Sequence, residues 1–153
     1  MALKKLFFPG SFDPFTKGHE AIVHKALALV DEIVIGIGVH SSKSPLFSVD
    51  RRKQHIEQLF HERPVKVTSF KGLTVDACLE HGCSHLLRGL RDSKDFQYER
   101  SIAHMNYDLS NIETIFLLTD LPLSAINSSI VREIYMNGGD INSFVTKAEF
   151  LFK

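Results

Sequence analysis

The chain carries no surplus charge, almost no cysteine and no long apolar run, and each shortage removes a class of function. Eighteen Lys and Arg offset eighteen Asp and Glu over 153 residues. That balance argues against a nucleic-acid coat or a polybasic membrane binder, both of which need excess positive charge, while leaving room for a local basic site. Cys78 and Cys83 are the only cysteines, too few for a disulfide scaffold and compatible with reduced thiols. No stretch approaches the roughly 18 apolar residues that span a bilayer. The apolar start stops at Pro9, too short for a signal-peptide core, so a cytoplasmic protein with neither nucleic acid nor membrane as partner is expected. The Gly-x-x-x-x-Gly-Lys-Ser/Thr of a P-loop and the Gly-x-Gly-x-x-Gly of a dinucleotide fold are also missing, which weakens ordinary ATPase and dehydrogenase readings.

What the chain has is apolar, alternating and regular. Hydrophobic residues make up 44% and charged residues 24%, enough for a core, and the length predicts one domain over residues 1–153. No repeat, low-complexity segment or linker interrupts it. Strand-like runs are read at Lys4–Phe8, Ile33–Val39, Val65–Phe70, His85–Leu87 and Thr114–Leu118. Between them, helical spacing is read over His19–Val30, from the Ser48 cap to about Phe60, over Thr74–His81 with Gly82 as stop, and over roughly Lys94–Asp108. A helix capped by Asn127 or Ser128 and stopped at Asn137-Gly-Gly139 follows, then a last helix over Val145–Phe152. Ile33–Val39 is β-branched and almost wholly apolar, as in a strand buried on both faces. Five strands alternating with helices predict an α/β fold, a single-domain doubly wound five-stranded parallel sheet. Ligands in such sheets bind beyond the carboxyl ends of the strands, so chemistry is sought in the loops 9–19, 40–47, 88–92 and 119–129.

The first loop reads Pro9-Gly-Ser-Phe-Asp-Pro-Phe-Thr-Lys-Gly-His19. It ends at a helix N-terminus, where backbone N–H groups and the helix dipole favour an anion. Gly18 permits close approach of a phosphate and His19 is placed to hydrogen-bond it. Ser128 and Ser129 open another helix and can both cap it and hold phosphate oxygens. Four thiol or imidazole groups crowd into Cys78-Leu-Glu-His-Gly-Cys-Ser-His85, but the spacing matches no common zinc pattern. Buried thiols and surface histidines are the expectation there, and no protein metal ligands are assigned. His24, His40, His55, His61 and His104 are read as surface or structural, and the twelve phenylalanines mainly as core.

Gly-Ser-Phe-Asp-Pro followed by Thr16-Lys-Gly-His19 resembles the nucleotidyltransferase superfamily with a (His/Thr)-x-Gly-His motif. Thr16 in the first position, Lys43 in Ser-Ser-Lys-Ser-Pro-Leu-Phe, Arg88-Gly-Leu-Arg91 and Asn127-Ser-Ser-Ile-Val-Arg-Glu133 together resemble its phosphopantetheine adenylyltransferase family, colinearly over essentially the whole chain. The resemblance implies a Rossmann-like nucleotidyltransferase fold and a homohexamer built as two trimers. It also implies the reaction of ATP, with Mg²⁺, and 4′-phosphopantetheine to dephospho-coenzyme A and pyrophosphate, with coenzyme A as a feedback ligand. The nucleophile would be a phosphate oxygen whose second pKa near 6 leaves it largely dianionic. No side chain need deprotonate it. What the reaction needs is relief of anion–anion repulsion, in-line positioning and stabilisation of the charge that develops.

By the same positional match, His19 would stabilise the α-phosphate in the transition state, and Lys43 would bring a point charge between the two phosphates. Ser11 would contact both substrates, Arg88 would bind the phosphate of phosphopantetheine, and Thr74 would line the pantetheine arm. ATP would rest against Ser11, Phe12, His19, Gly89, Leu90, Arg91, Glu99 and the segment Leu123, Ser124, Ala125, Ile126, Asn127, Ser128 and Ser129. Two positions depart from the family pattern: Asn127 replaces the first of a more usual Ser run, and Thr74 stands where an apolar residue is common. Two other readings stand beside this one: a related cytidylyl- or adenylyltransferase acting on another phosphorylated acceptor, and a catalytically silent nucleotide- or coenzyme-A-sensing module.

Overall fold

The computed structural model describes residues 4–42 and 44–152. Among them five parallel strands, β1 (Lys5–Gly10), β2 (Glu32–Gly38), β3 (Val65–Phe70), β4 (His85–Leu90) and β5 (Thr114–Leu118), form one sheet in the order β3-β2-β1-β4-β5. The helices α1 (Lys17–Leu27), α2 (Val49–Leu59), α3 (Thr74–Glu80), α4 (Ser93–Ser110) and α5 (Ser128–Met136) connect or follow the strands. The expected doubly wound architecture is the one observed.

Alternation in β1 explains the layering. Leu6 and Phe8 face one side with Ile33, Ile35 and Leu87, where they meet Ile22, Val23 and Ala26 of α1 and Ile56 of α2. Phe7 faces the other side with Val34 and Leu86, against Val75, Ala77 and Cys78 of α3. Successive strand residues point to opposite faces, so a sheet covered on both sides requires the unbroken apolar runs seen in the sequence. Each fully buried large side chain contributes about 1.5–3 kcal/mol to that core.

Several element ends differ from expectation. β1 runs on through Pro9 and Gly10 instead of stopping at Phe8. Its register with β4 covers only Leu6 and Phe7, so the missing N–H of Pro9 falls where the two strands part and costs no ladder bond. α1 starts two residues earlier than expected, at Lys17, because Thr16 caps it. It ends at Leu27, and Leu29 and Val30 only turn back to the Ala26 carbonyl. β4 continues from Leu87 to Leu90, which places Arg88 within the strand. The expected last helix over Val145–Phe152 is not formed: Lys147 takes a left-handed conformation, and only a 3₁₀ turn, Ala148–Leu151, follows. Tertiary packing decides this segment, since Val145, Ala148 and Leu151 bury against Phe47 and Val131.

Gly82 ends α3 as the sequence predicts, at φ +68. The Cys83 N–H returns to the Cys78 carbonyl at 3.0 Å, the bond pattern of a Schellman cap, which brings the two flanking side chains together. Both cysteines are free and buried. Nδ1 of His81 pairs with the Ala77 carbonyl at 2.9 Å, and Nδ1 of His85 with Ser84 Oγ at 2.8 Å. Packing and capping account for this cluster.

Candidate active site

The strand order reverses between β1 and β4, the point where a doubly wound sheet leaves a crevice at its carboxyl end. A cleft of about 380 Å³ opens there. The loop after β1, the end of β4, the start of α4 and the start of α5 border it.

The loop after β1 delivers His19 through a local device. Thr16 is the N-cap of α1, and its Oγ1 accepts from the His19 N–H at 3.5 Å. In return His19 Nδ1 accepts from the Thr16 N–H at 3.0 Å, so a histidine takes the place that Glu or Gln holds in the usual capping box. A backbone N–H only donates, so Nδ1 carries the lone pair and Nε2 carries the hydrogen in the neutral ring. The ring centroid stands 5.0 Å from Phe12 and 5.2 Å from Phe15. Burial, then the charges of Arg88 and Arg91, push its pKa down to about 3. His19 is therefore a neutral donor at physiological pH, fixed in orientation before any ligand arrives.

The far wall carries two guanidinium groups, each paired with a carboxylate. Arg88 gives Nε to Glu99 Oε2 at 2.8 Å, Nη2 to Glu99 Oε1 at 2.6 Å and Nη1 to the Pro9 carbonyl at 2.6 Å. Glu99, from α4, is 8% exposed. Arg91 makes the same two-pronged pairing with Asp95, at 3.0 and 3.1 Å. Between the arginines, Gly89 has a packing reason: a Cβ there would stand 2.9 Å from the Ile22 side chain of α1. The third wall is the start of α5. Asn127 Oδ1 caps it by accepting from the Ile130 N–H at 3.0 Å, which gives this unusual residue a definite role. Ser128 Oγ donates to the Pro14 carbonyl at 3.0 Å.

Most expected site residues meet in this cleft. Ser11, Phe12, His19, Arg88, Gly89, Arg91, Glu99, Ile126, Asn127, Ser128 and Ser129 line it. Leu90 is buried and does not line it. Leu123, Ser124 and Ala125 do not line it: Leu123 closes a 3₁₀ turn (Leu121–Leu123), and Ser124 Oγ bonds back to the Leu121 carbonyl at 2.8 Å. Thr74 borders a second cavity of about 350 Å³, which shares Ser11, Arg88 and Glu99 with the first. Lys43 lies outside the described residues.

Sequence reasoning passed over several neighbours. Arg132 lines the cleft and donates to Ser129 Oγ at 3.0 Å and to the Asp13 carbonyl at 2.9 Å. Its spacing of three from Ser129 puts both on one helix face, a legible signal. Tyr98, Ile102 and Asn106 line the second cavity, and their spacing of four marks one face of α4 in the same way. Asp13 and Thr119, also on the first cleft, carry no such local signal. Among the described residues no group of three or more His, Cys, Asp or Glu is arranged to hold a metal ion, and no helix is long and apolar enough to cross a membrane.

Fold and cleft together define a nucleotidyltransferase: residues 7–134 match the model of the cytidylyltransferase-like family. Solved structures share the fold. A bifunctional NMN adenylyltransferase/ADP ribose pyrophosphatase from Francisella tularensis superposes with a TM-score of 0.71 at 17% identity, covering 94% of this chain and 44% of that one. A lipopolysaccharide core biosynthesis protein from Thermoplasma volcanium superposes with a TM-score of 0.58 at 18% identity, covering 78% of this chain and 98% of that one. Sequence relatives are nearer. The phosphopantetheine adenylyltransferase of Flavobacterium psychrophilum is 49% identical over 147 residues, 95% of this chain and 97% of its own. That of Porphyromonas gingivalis is 45% identical over 139 residues, 90% of this chain and 91% of its own. The chain belongs to the phosphopantetheine adenylyltransferase family.

Proposed function

We propose that the protein transfers the adenylyl group of ATP to 4′-phosphopantetheine, giving dephospho-coenzyme A and pyrophosphate, a late step of coenzyme A biosynthesis. The observation that carries the chemistry is a preset neutral imidazole donor facing a wall of guanidinium groups across one cleft. The groups along the cleft are chiefly N–H and O–H donors, which suit phosphate oxygens. Mg²⁺ is accordingly taken as arriving with ATP, as part of the substrate, where it neutralises phosphate charge.

Proximity does much of the work. ATP occupies the first cleft, with its triphosphate toward the starts of α1 and α5. Nε2–H of His19 donates to an oxygen of the α-phosphate, and the bond strengthens as charge gathers there during attack. Arg91, Ser128 and Ser129 hold the departing pyrophosphate. The acceptor lies in the second cavity, its pantetheine arm along Thr74 and its phosphate on the outer donors of Arg88, which stands where the two cavities meet. Lys43 offsets repulsion between the two phosphates. No side chain takes a proton, since the attacking oxygen is already ionised. The neutral state of His19 suits this role, because a neutral N–H donor keeps its hydrogen throughout.

Coenzyme A, sharing the acceptor's pantetheine arm and an adenylyl group, fits the joined cavities as a feedback ligand. Exposed apolar side chains on α4 and beyond β5, among them Tyr98, Met105, Leu109 and Leu121, fit a surface covered in a homohexamer of two trimers. Two free thiols fit the reducing cytoplasm. Pyrophosphate release from ATP, measured with and without 4′-phosphopantetheine, tests the reading. Release that requires the acceptor and yields dephospho-coenzyme A is expected. ATP binding without turnover would favour a silent sensing module, and turnover with CTP or another phosphorylated acceptor would favour a different transferase.

A further inference from the structure

The loop after β1, which borders the cleft, and the loop after β2, whose His40 lines the second cavity, are far apart in sequence yet joined backbone to side chain. Asp13, in the loop after β1, is 7% exposed. Its Oδ2 accepts from the Leu46 N–H at 2.8 Å and its Oδ1 from the Phe47 N–H at 2.9 Å. Arg52, in the first turn of α2 and 4% exposed, ties the same loops in the opposite sense. Its Nε donates to the Phe47 carbonyl at 3.0 Å and its Nη1 to the Ser11 carbonyl at 2.5 Å.

Phe47 is thus gripped at both its N–H and its C=O. Ser11 and Asp13, the two anchored residues of the first loop, flank Phe12, whose φ of +48 costs a non-glycine residue of order 1 kcal/mol and persists only where neighbours over-determine it. α5 adds outer support, Arg132 to the Asp13 carbonyl at 2.9 Å and Ser128 to the Pro14 carbonyl at 3.0 Å. Both buried charges are matched, Asp13 by two N–H groups and Arg52 by carbonyls, as buried charges must be. Among the described residues, the partners of Asp13 and Arg52 in the two loops are backbone groups, so the clasp depends on these two side chains.

We propose that Asp13 and Arg52 are positioning residues for adenylyl transfer, clasping the loop after β2 onto the loop after β1 so that both present their groups to the reacting phosphates in register. The proposal rests on the adenylyltransferase reading, in which Ser11 comes from one loop and Lys43 from the other. Neither Asp13 nor Arg52 acts on substrate. Both act through the loops they join.

The test pairs D13N and R52K. D13N sets an NH₂ donor against one of two backbone donors, and R52K leaves a single ammonium that cannot span the Phe47 and Ser11 carbonyls as the guanidinium does. Amide hydrogen exchange at Leu46 and Phe47 reads the clasp without any reaction. Steady-state kinetics and calorimetric ATP binding read its consequence. In D13N both amides should exchange at least about tenfold faster, and kcat should fall on the order of 10- to 100-fold, as expected for misplaced reacting groups. ATP affinity should stay within about threefold. R52K should show the same pattern more weakly, and it carries the test if D13N does not fold. Faster exchange with unchanged kcat in either variant would overturn the positioning role, as would unchanged exchange, or a loss confined to ATP affinity. Wild-type protein that turns over no acceptor would instead refute the adenylyltransferase reading, and the exchange data would then decide the clasp on its own.

Discussion

His19 and His55 are both held inside the protein with pKa values pushed below the ordinary one, chiefly by burial, yet they occupy opposite situations. His19 Nδ1 meets a backbone donor, the Thr16 N–H, so the nitrogen left over is an N–H beside an open cleft. His55 Nε2 meets a backbone acceptor, the Thr146 carbonyl at 2.8 Å. It therefore donates inward, and the nitrogen left over, Nδ1, is a bare lone pair enclosed without a partner among the described residues. The first arrangement exports a donor. The second pins α2 to the C-terminal segment. Burial and a depressed pKa are common to both, so neither marks a site by itself. The sign of the spare hydrogen-bonding group, and the space in front of it, make the difference.

The strongest test of that contrast is His19→Ala. Removing one preorganised donor should cost about 10²–10³ in kcat, roughly 2.7–4 kcal/mol, with ATP binding by calorimetry changed less than about tenfold. The melting temperature should fall only modestly, because α1 loses the His19 half of its capping box while Thr16 Oγ1 still faces the N–H at position 19. Turnover close to wild type would remove His19 from the mechanism.

Next comes Arg88→Ala, which should weaken the acceptor about 10- to 150-fold by titration, equivalent to about 1.5–3 kcal/mol, and ATP much less. The same change strands the Glu99 carboxylate, so stability should also fall. Adding E99Q should restore the melting temperature but not the acceptor affinity. Equal loss for both substrates would contradict the assignment of Arg88.

His55→Ala should do the converse of His19→Ala. It leaves a hole in the core and a carbonyl without its donor, a cost of about 2–4 kcal/mol readable by denaturant unfolding. kcat should be unchanged at temperatures where the variant is folded. A loss of rate in folded protein would erase the contrast between the two rings.

The smallest expected change between wild type and variant is in the pH dependence of stability. Both histidines have folded pKa values below the ordinary 6.5, so below pH 6.5 the unfolded chain binds more protons than the native one. Stability then falls as pH drops from about 6.5 toward the folded values, and is fully present above that range. Unfolding curves between pH 7 and 4.5 should show this slope in the wild type and a shallower one in His55→Ala. An identical slope in both would mean that the seat of His55 contributes nothing to it.

Local chemistry was legible in the sequence wherever partners are three to five residues apart. The Ser48 and Asn127 caps, the Gly82 stop and the apolar strand β2 all follow from short-range bonding and period, and so did the sheet class. Of the four motifs at strand ends that carried the resemblance, those of His19, Arg88 and Ser128 line one cleft, because parallel strands bring all their carboxyl ends to one edge. Tertiary structure alone decided the rest. Nothing near Asp13 announces the amides of Leu46 and Phe47, more than thirty residues on, since a carboxylate accepts from any N–H and spacing does not specify which. Nor does the chain reveal that Arg88 is matched to Glu99, or that apolar residues spaced like a helix at the C-terminus spread over Phe47 and Val131 instead. A short segment forms little helix unaided, so the surface it packs against sets its shape.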